Sequence, residues 1–278
     1  MSSYRVSVNS LVAFTARAGD LDLRFTPAPS AIEGIAGHQI IRQRRRANYE
    51  SEVRLSGHYP GLEVSGRADG YDPDSNTLEE IKTHRSDLSR IPENQRAVHW
   101  AQAKLYGWML CQARGLSTIN IAVVYFNILS GEETSAPVCY SAKQLQSFFN
   151  LHSEKFLSWA EQETAHRERR NTSLEAMPFP HATYRTGQRD LAEKVFLAVR
   201  GEQALLAQAT TGIGKTLATI FPQLKAMGEC KIDRLFFLTA KTPGRQLALD
   251  AIETLRLACY DLQLRVLEHV ARDKACVY

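Results

Sequence analysis

Residues 66–82 read GRADGYDPDSNTLEEIK, and no other stretch narrows the possible folds as much. Leu62, Val64 and Gly66 lead into residues 67–71 as one extended run, Pro73, Asp74, Ser75 and Asn76 interrupt it, and residues 77–82 resume it. Two strands joined by a polar turn predict a hairpin. Side chains two apart on a strand share a face, so Glu80 and Lys82 project together. Asp69, near the end of the first strand, is expected to face them. Two carboxylates beside one ammonium suit metal-dependent phosphodiester cleavage. Hard oxygen ligands hold Mg²⁺ or Mn²⁺, the ion lowers the pKa of a bound water, and the lysine steadies developing charge. The same residues also fit a solvated hairpin with ordinary cross-strand ion pairs.

The flanks add to this pattern. A helix is expected from Pro29-Ser30 to about Gln43, carrying Gly34 and His38, and a second from about Pro92 to Ala113. Gln102 and Tyr106 lie four apart on the second, on one face. In order, the chain has Gly34-x-x-x-His38, Asp69, Glu80-x-Lys82 and Gln102-x-x-x-Tyr106. Over roughly residues 1–165 this series resembles the RecB-like branch of the PD-(D/E)xK nucleases. The resemblance implies a restriction-endonuclease-like, mixed-sheet α/β domain. It also implies that His38, Asp69 and Glu80 bind the metal, with the Ile81 carbonyl as a further ligand. Lys82 would be catalytic, and Gln102 and Tyr106 would orient the lysine or the DNA. Ala68 stands where the family pattern has proline.

Composition is that of an ordinary globular chain: 278 residues, 44% apolar, 23% charged. No apolar run is long enough to span a bilayer, and MSSYRVSVNS carries no apolar signal region, so no membrane partner and a cytoplasmic setting are expected. Five cysteines without paired spacing are read as free thiols, mainly buried. The net charge of +4 permits nucleic acid without requiring it. Arg42, Arg44, Arg45 and Arg46 follow His38 and are read as a basic rim for a phosphodiester backbone. Arg167, Arg169 and Arg170 fit either such a rim or a solvated helix end. A short helix through residues 11–14 is expected to end at Gly19-Asp20. Strands are expected at residues 52–58, 118–129 and 136–140, and a helix from Leu145 to Arg170. Trp100 and Trp108 are read as core, and His84 and His99 as satisfied or solvent-facing.

Pro178, Pro180 and their polar neighbours mark residues 171–182 as a linker between a domain at 1–170 and a second at 183–278. The second opens on a buried-strand pattern at residues 204–208, followed by Ala209-Thr210-Thr211-Gly212-Ile213-Gly214-Lys215-Thr216 and a helix. Strand, glycine loop, helix is a phosphate-binding P-loop. Small residues at Thr211, Gly212 and Gly214 let backbone N–H groups curl round phosphate oxygens, Lys215 reaches the β/γ-phosphates, and the Thr216 hydroxyl ligates Mg²⁺.

With Arg185-x-x-Gln188 before the loop and an apolar strand ending in residues 239–243 after it, this half resembles the start of an XPD/DinG-like superfamily-two helicase. The resemblance implies a RecA-like parallel α/β lobe that takes ATP, with Arg185 and Gln188 on adenine and residues 239–242 on DNA. Cys276 would be the first ligand of an iron–sulfur cluster whose other three cysteines, with the Asp-Glu-x-His box, would lie beyond Tyr278. A lone Cys276 holds no cluster. The chain is therefore read as a fragment that binds nucleotide and single-stranded or flapped DNA, and cleaves DNA without unwinding it, in a DNA-repair setting. Two rivals stay open: a non-catalytic DNA- and nucleotide-binding module, and a different P-loop class.

Overall fold

An uninterrupted apolar strand needs cover on both faces, and the run INIAVVYFN has it. In the computed structural model, which describes residues 4–17, 29–85, 87–230, 232–239 and 242–271, this run is a strand buried from Ile121 to Phe126. The chain divides into two units, Met1–Ala160 and Glu161–Tyr278.

The first unit is built on a seven-stranded mixed sheet. Its strands are β1 (Tyr4–Ser7), β2 (Glu50–Tyr59), β3 (Leu62–Asp72), β4 (Thr77–His84), β5 (Thr118–Asn127), β6 (Glu133–Thr134) and β7 (Val138–Ser141). The path runs β1-β3-β4-β5-β6, with β2 on β3 and β7 on β5. The expected hairpin forms: β3 and β4 pair antiparallel, with Gly70 opposite Glu79 and Asp72 opposite Thr77. β4 and β5 pair parallel. Parallel neighbours need a long crossover, and helix α3 (Glu93–Arg114) supplies it, ending at Gly115 in the left-handed conformation (φ 65°). Helices α1 (Val8–Thr15) and α2 (Ala31–Gln43) precede β2. Ser30 and Glu33 form a reciprocal capping box that starts α2 and so places His38. Trp108 is core and stacks on Phe149 with centroids 3.8 Å apart, and Trp100 packs against the same core.

Several expectations are corrected. α1 closes at Ala16; Gly19 and Asp20 lie outside the described residues. The helix expected to stop at Arg170 is α4 (Ala142–Ala176), which runs through the division at Ala160 and takes up half of the supposed linker. Nothing breaks the helix before Pro178, and Leu174 is buried, so packing carries it on. Among the described cysteines all are free, but Cys111 alone is buried.

The second unit holds helices α5 (Gln188–Arg200), α6 (Lys215–Glu229) and α7 (Thr242–Ala258); α6 and α7 share a core of Leu174, Leu217, Leu224, Met227 and Leu255, and α5 packs on α6 through Leu191, Val195 and Ala218. The strands expected at residues 204–208 and 235–239 are absent among its described residues. A parallel strand is held by neighbours on both sides, and these segments have no ladder partner. Leu206 is fully exposed and Leu238 is 89% exposed. The parallel sheet of a RecA-like lobe is therefore not formed by the described residues. No helix among them is long and apolar enough to cross a membrane.

Candidate active site

β4 presents alternate residues to opposite sides. Ile81 is buried against Ile41, Val124 and Phe126, while Glu80 and Lys82 turn toward α3. Lys82 Nζ donates to Glu80 Oε1 (2.7 Å) and to Gln102 Oε1 (3.0 Å). Gln102 in turn bonds the Tyr106 hydroxyl, which also accepts the Arg67 backbone N–H at 3.2 Å. Burial pushes that phenol up to about 12. Gly66 makes this approach possible, because a Cβ there would lie 2.6 Å from the Tyr106 oxygen.

Asp69 comes from the other arm of the hairpin. Its Oδ2 accepts the Ile81 N–H at 2.7 Å, and its Oδ1 lies 3.4 Å from His38 Nδ1. His38, Asp69, Glu80, Ile81, Lys82 and Gln102 line one cavity of about 700 Å³. The residues that the sequence distributes over 65 positions thus meet in one place. Tyr106 stands behind them, buried, through its bond to Gln102.

Glu80 is 2% exposed, and burial raises its carboxyl to about 7 although Lys82 pulls it down. Its Oε2 is buried and has no hydrogen-bond partner. An unsatisfied carboxylate oxygen costs free energy unless something positive meets it, and a hard divalent cation suits an oxygen donor beside a second carboxylate and an imidazole. The donors fit such an ion by chemistry. Among the described residues, however, no three histidine, cysteine, aspartate or glutamate side chains are already arranged to hold one ion together. Glu80 is drawn to Lys82 instead.

Two expectations about the surroundings change. The arginine rim after His38 is taken up by acids: Arg42 with Glu52, Arg44 with Glu133, Arg45 with Glu79 and Glu133, and Arg46 with Asp74. Arg167 and Arg170 pair with Asp233, at 2.9 and 3.6 Å; Arg170 is buried and α4 runs on to Ala176, so the pair is neither a free basic rim nor a solvated helix end. His99 lines the cavity, its Nδ1 3.2 Å from the Tyr125 hydroxyl. Burial first, and Lys82 second, hold its pKa down to about 3, so it is neutral. Glu52 and Arg67 also line the cavity and were not singled out from sequence. Arg67 stands inside the GRAD run, which was a usable signal; Glu52 had none.

In the second unit the glycine loop and the Arg185/Gln188 pair meet. Gly212 and Gly214 take left-handed backbone (φ 87° and 80°), and α6 starts at Lys215. Lys215 Nζ donates to the carbonyls of Ala209 and Thr210, at 3.0 and 2.9 Å. Arg185 donates to the Gly212 carbonyl at 2.7 Å, and buried Gln188 receives the Arg185 N–H at 3.0 Å. Thr216 is in the first turn of α6, and Thr211 is exposed on the loop. Residues 240, 241 and Cys276 lie outside the described residues.

A mixed α/β protein with a polar cavity at its central hairpin is the class that fold and site define. No family model matches the chain, and no curated protein does. Among solved structures it is similar to SSO0001 at 19% identity, over 57% of this chain and 78% of that one, with a TM-score of 0.38. It is also similar to a candidate exonuclease from Eubacterium rectale at 15% identity, over 43% of this chain and 49% of that one, with a TM-score of 0.32. At these scores neither likeness bears on the chemistry of the site, which stands on its own residues.

Proposed function

We propose that the first unit is a metal-dependent deoxyribonuclease of the RecB-like kind, acting on single-stranded or flapped DNA. The observation that carries this reading is the convergence of Asp69, Glu80, Lys82 and His38 on one cavity. Mg²⁺ or Mn²⁺ bound there would supply a water of lowered pKa and neutralise the phosphate. Asp69 and Glu80 would hold it, with His38 and the Ile81 carbonyl assisting. Glu80 would hold the ion as the carboxylate, since the cation would favour the ionised form that burial alone disfavours. With Glu80 on the ion, Lys82 would keep its bond to Gln102 and offer its ammonium to the developing negative charge. Tyr106 keeps Gln102 in place. Cleavage of a labelled single-stranded oligodeoxynucleotide in Mg²⁺ or Mn²⁺ tests this: Lys82→Ala and Asp69→Asn should each abolish it. Equal cleavage by either variant would remove the nuclease reading.

A non-catalytic module that only guides DNA is the second reading. It is favoured by the lack of a three-donor arrangement among the described residues, and metal-dependent cleavage would exclude it.

For the second unit the reading is nucleotide binding, with ATP on the loop at Thr211, Gly212, Gly214, Lys215 and Thr216, and adenine against Arg185 and Gln188. The packing of Arg185 and Gln188 on the loop supports it. Taken together, the chain is proposed as a nuclease domain joined to an XPD/DinG-like ATP-binding segment, with a DNA-repair role.

A further inference from the structure

We propose that Arg67, steered by Glu52, grips a phosphate of the substrate strand beside the one that is cleaved; this rests on the nuclease reading of the cavity. Glu52 is the starting point. Its backbone is left-handed (φ 59°) inside β2, near the start of the strand, whereas the other described non-glycine residues with positive φ, Asn76 and Glu202, sit in turns. Such a conformation in a strand is unfavourable and persists only where its surroundings demand it. The ladder has Ser51 opposite Gly70 and Val53 opposite Ala68, so Glu52 stands level with Asp69.

The twist sends the Glu52 carboxylate to two guanidinium groups. One oxygen takes Arg42, and the other takes Arg67 Nε at 2.5 Å. One negative charge between two positive ones leaves a surplus cation at the cavity wall. Arg42, with 33% of its side chain exposed, does not line the cavity, which leaves Arg67 as the member of the pair that faces it. Arg67 keeps 61% of its side chain exposed and lines the cavity with Asp69, Glu80 and Lys82. It also borders a shallow groove with Arg54, Ser56 and Ser65. Arg54 is exposed and directly opposite Arg67 in the β2–β3 register. Like charges side by side across a ladder repel, and a polyanion lying over both turns that repulsion into attraction. The geometry therefore describes a track: Arg54, then Arg67, then the reacting centre. A guanidinium fixed by a carboxylate is already aimed, and it presents a planar fork to phosphate oxygens. In this arrangement Arg67 binds substrate, and Glu52 is a positioning residue.

The experiment uses the full chain in two arms. The first measures binding of a single-stranded oligodeoxynucleotide across a salt series in the cleavage-dead Lys82→Ala background. Adding Arg67→Ala should weaken binding several-fold and lower the slope of log affinity against log salt by about 0.7, the share of one phosphate contact on a single strand. Arg67→Lys should restore the slope but not the full affinity. The second arm measures kinetics with Lys82 intact. Glu52→Gln should leave KM unchanged or lower it, because the wall becomes more positive, while kcat falls about tenfold, as expected when binding is kept but aim is lost. A purely structural Glu52 would instead reduce active protein and leave KM and per-site kcat alone. An unchanged salt slope in Arg67→Ala overturns the proposal; should the alanine variant fail to fold, the neutral Arg67→Gln takes its place, and an unchanged slope there overturns it. If the chain with Lys82 intact cleaves nothing yet Arg67→Ala still lowers the slope, the nuclease reading falls and the phosphate grip stands. If Lys82-dependent cleavage is seen and the slope does not move, the reverse holds.

Discussion

Lys82 on β4 and Gln102 on α3 are joined by a 3.0 Å hydrogen bond from ammonium to amide oxygen, and the same ammonium is bound to Glu80. A lysine held from two sides has lost the rotamer freedom that normally blurs its position. Gln102→Ala removes the holder that would remain once Glu80 turned to a metal. The loss of a hydrogen bond to a charged group, about 1.5–3 kcal/mol, corresponds to roughly a tenfold to hundredfold drop in kcat at little change in KM. Steady-state kinetics on a single-stranded substrate check this, and Tyr106→Phe should follow in the same direction more weakly.

Gly57 on β2 faces the hydrophobic core beneath α3. A Cβ there would lie 2.3 Å from Trp108 and 3.2 Å from both Met109 and Phe149. These side chains are buried and the two rings are stacked, so nothing yields cheaply. Gly57→Ala should cost about 1–3 kcal/mol by overpacking. Gly34→Ala in α2 should do the opposite and gain about 0.5–1 kcal/mol, since its Cβ would meet Thr83 at an ordinary 3.7 Å and helical glycine is entropically costly. Urea midpoints of the two variants read the contrast.

His152 makes the fold acid-sensitive. Its Nδ1 lies 2.7 Å from the Thr15 hydroxyl, and burial, with Lys155 and Lys104 nearby, lowers its pKa from 6.5 to about 4. The unfolded chain takes up a proton below 6.5 that the folded chain refuses until about 4. The full stability is therefore present above pH 6.5 and is lost as pH falls toward 4, with no further loss from this group below that. The slope in this window is bounded by about 1.4 kcal/mol per pH unit for one proton. His152→Gln should flatten the dependence of unfolding free energy on pH there, relative to the parent chain.

Lys215 tests the second unit. Its ammonium now bonds the carbonyls of Ala209 and Thr210, so it already points into the loop. Lys215→Ala should weaken nucleotide binding by about 1.5–3 kcal/mol, the worth of a charge-assisted hydrogen bond. Gln188→Ala should narrow the preference for ATP over GTP. Titration with fluorescent nucleotides measures both, and an unaltered base preference would count against Gln188 as an adenine contact.

Much of the first unit was legible in the residues because its signals are local. The polar break at Pro73–Asn76, the two-residue alternation of Glu80 and Lys82, and the four-residue spacing of Gln102 and Tyr106 each depend on a few bonds of backbone. The glycine loop at Gly212 and Gly214 was legible for the same reason. The strands before and after that loop were not. Their apolar residues describe a capacity to be buried, and whether neighbouring strands are present to do so is a property of the whole sheet. The first half of the linker expected at 171–182 is helix instead, since Leu174 is held in α4 by the core it meets rather than by its own neighbours in sequence.

What the amino-acid order determined alone is the set of chemical groups, their periodicity and the turn between β3 and β4. Tertiary structure decided which of them meet. It brought His38 to Asp69, gave the arginines after His38 to acids elsewhere, buried His99 in the neutral form, and twisted Glu52 so that Arg67 faces the cavity. The physical reason is that charge pairing and burial depend on distances through space, and residues tens of positions apart acquire those distances only when the sheet closes.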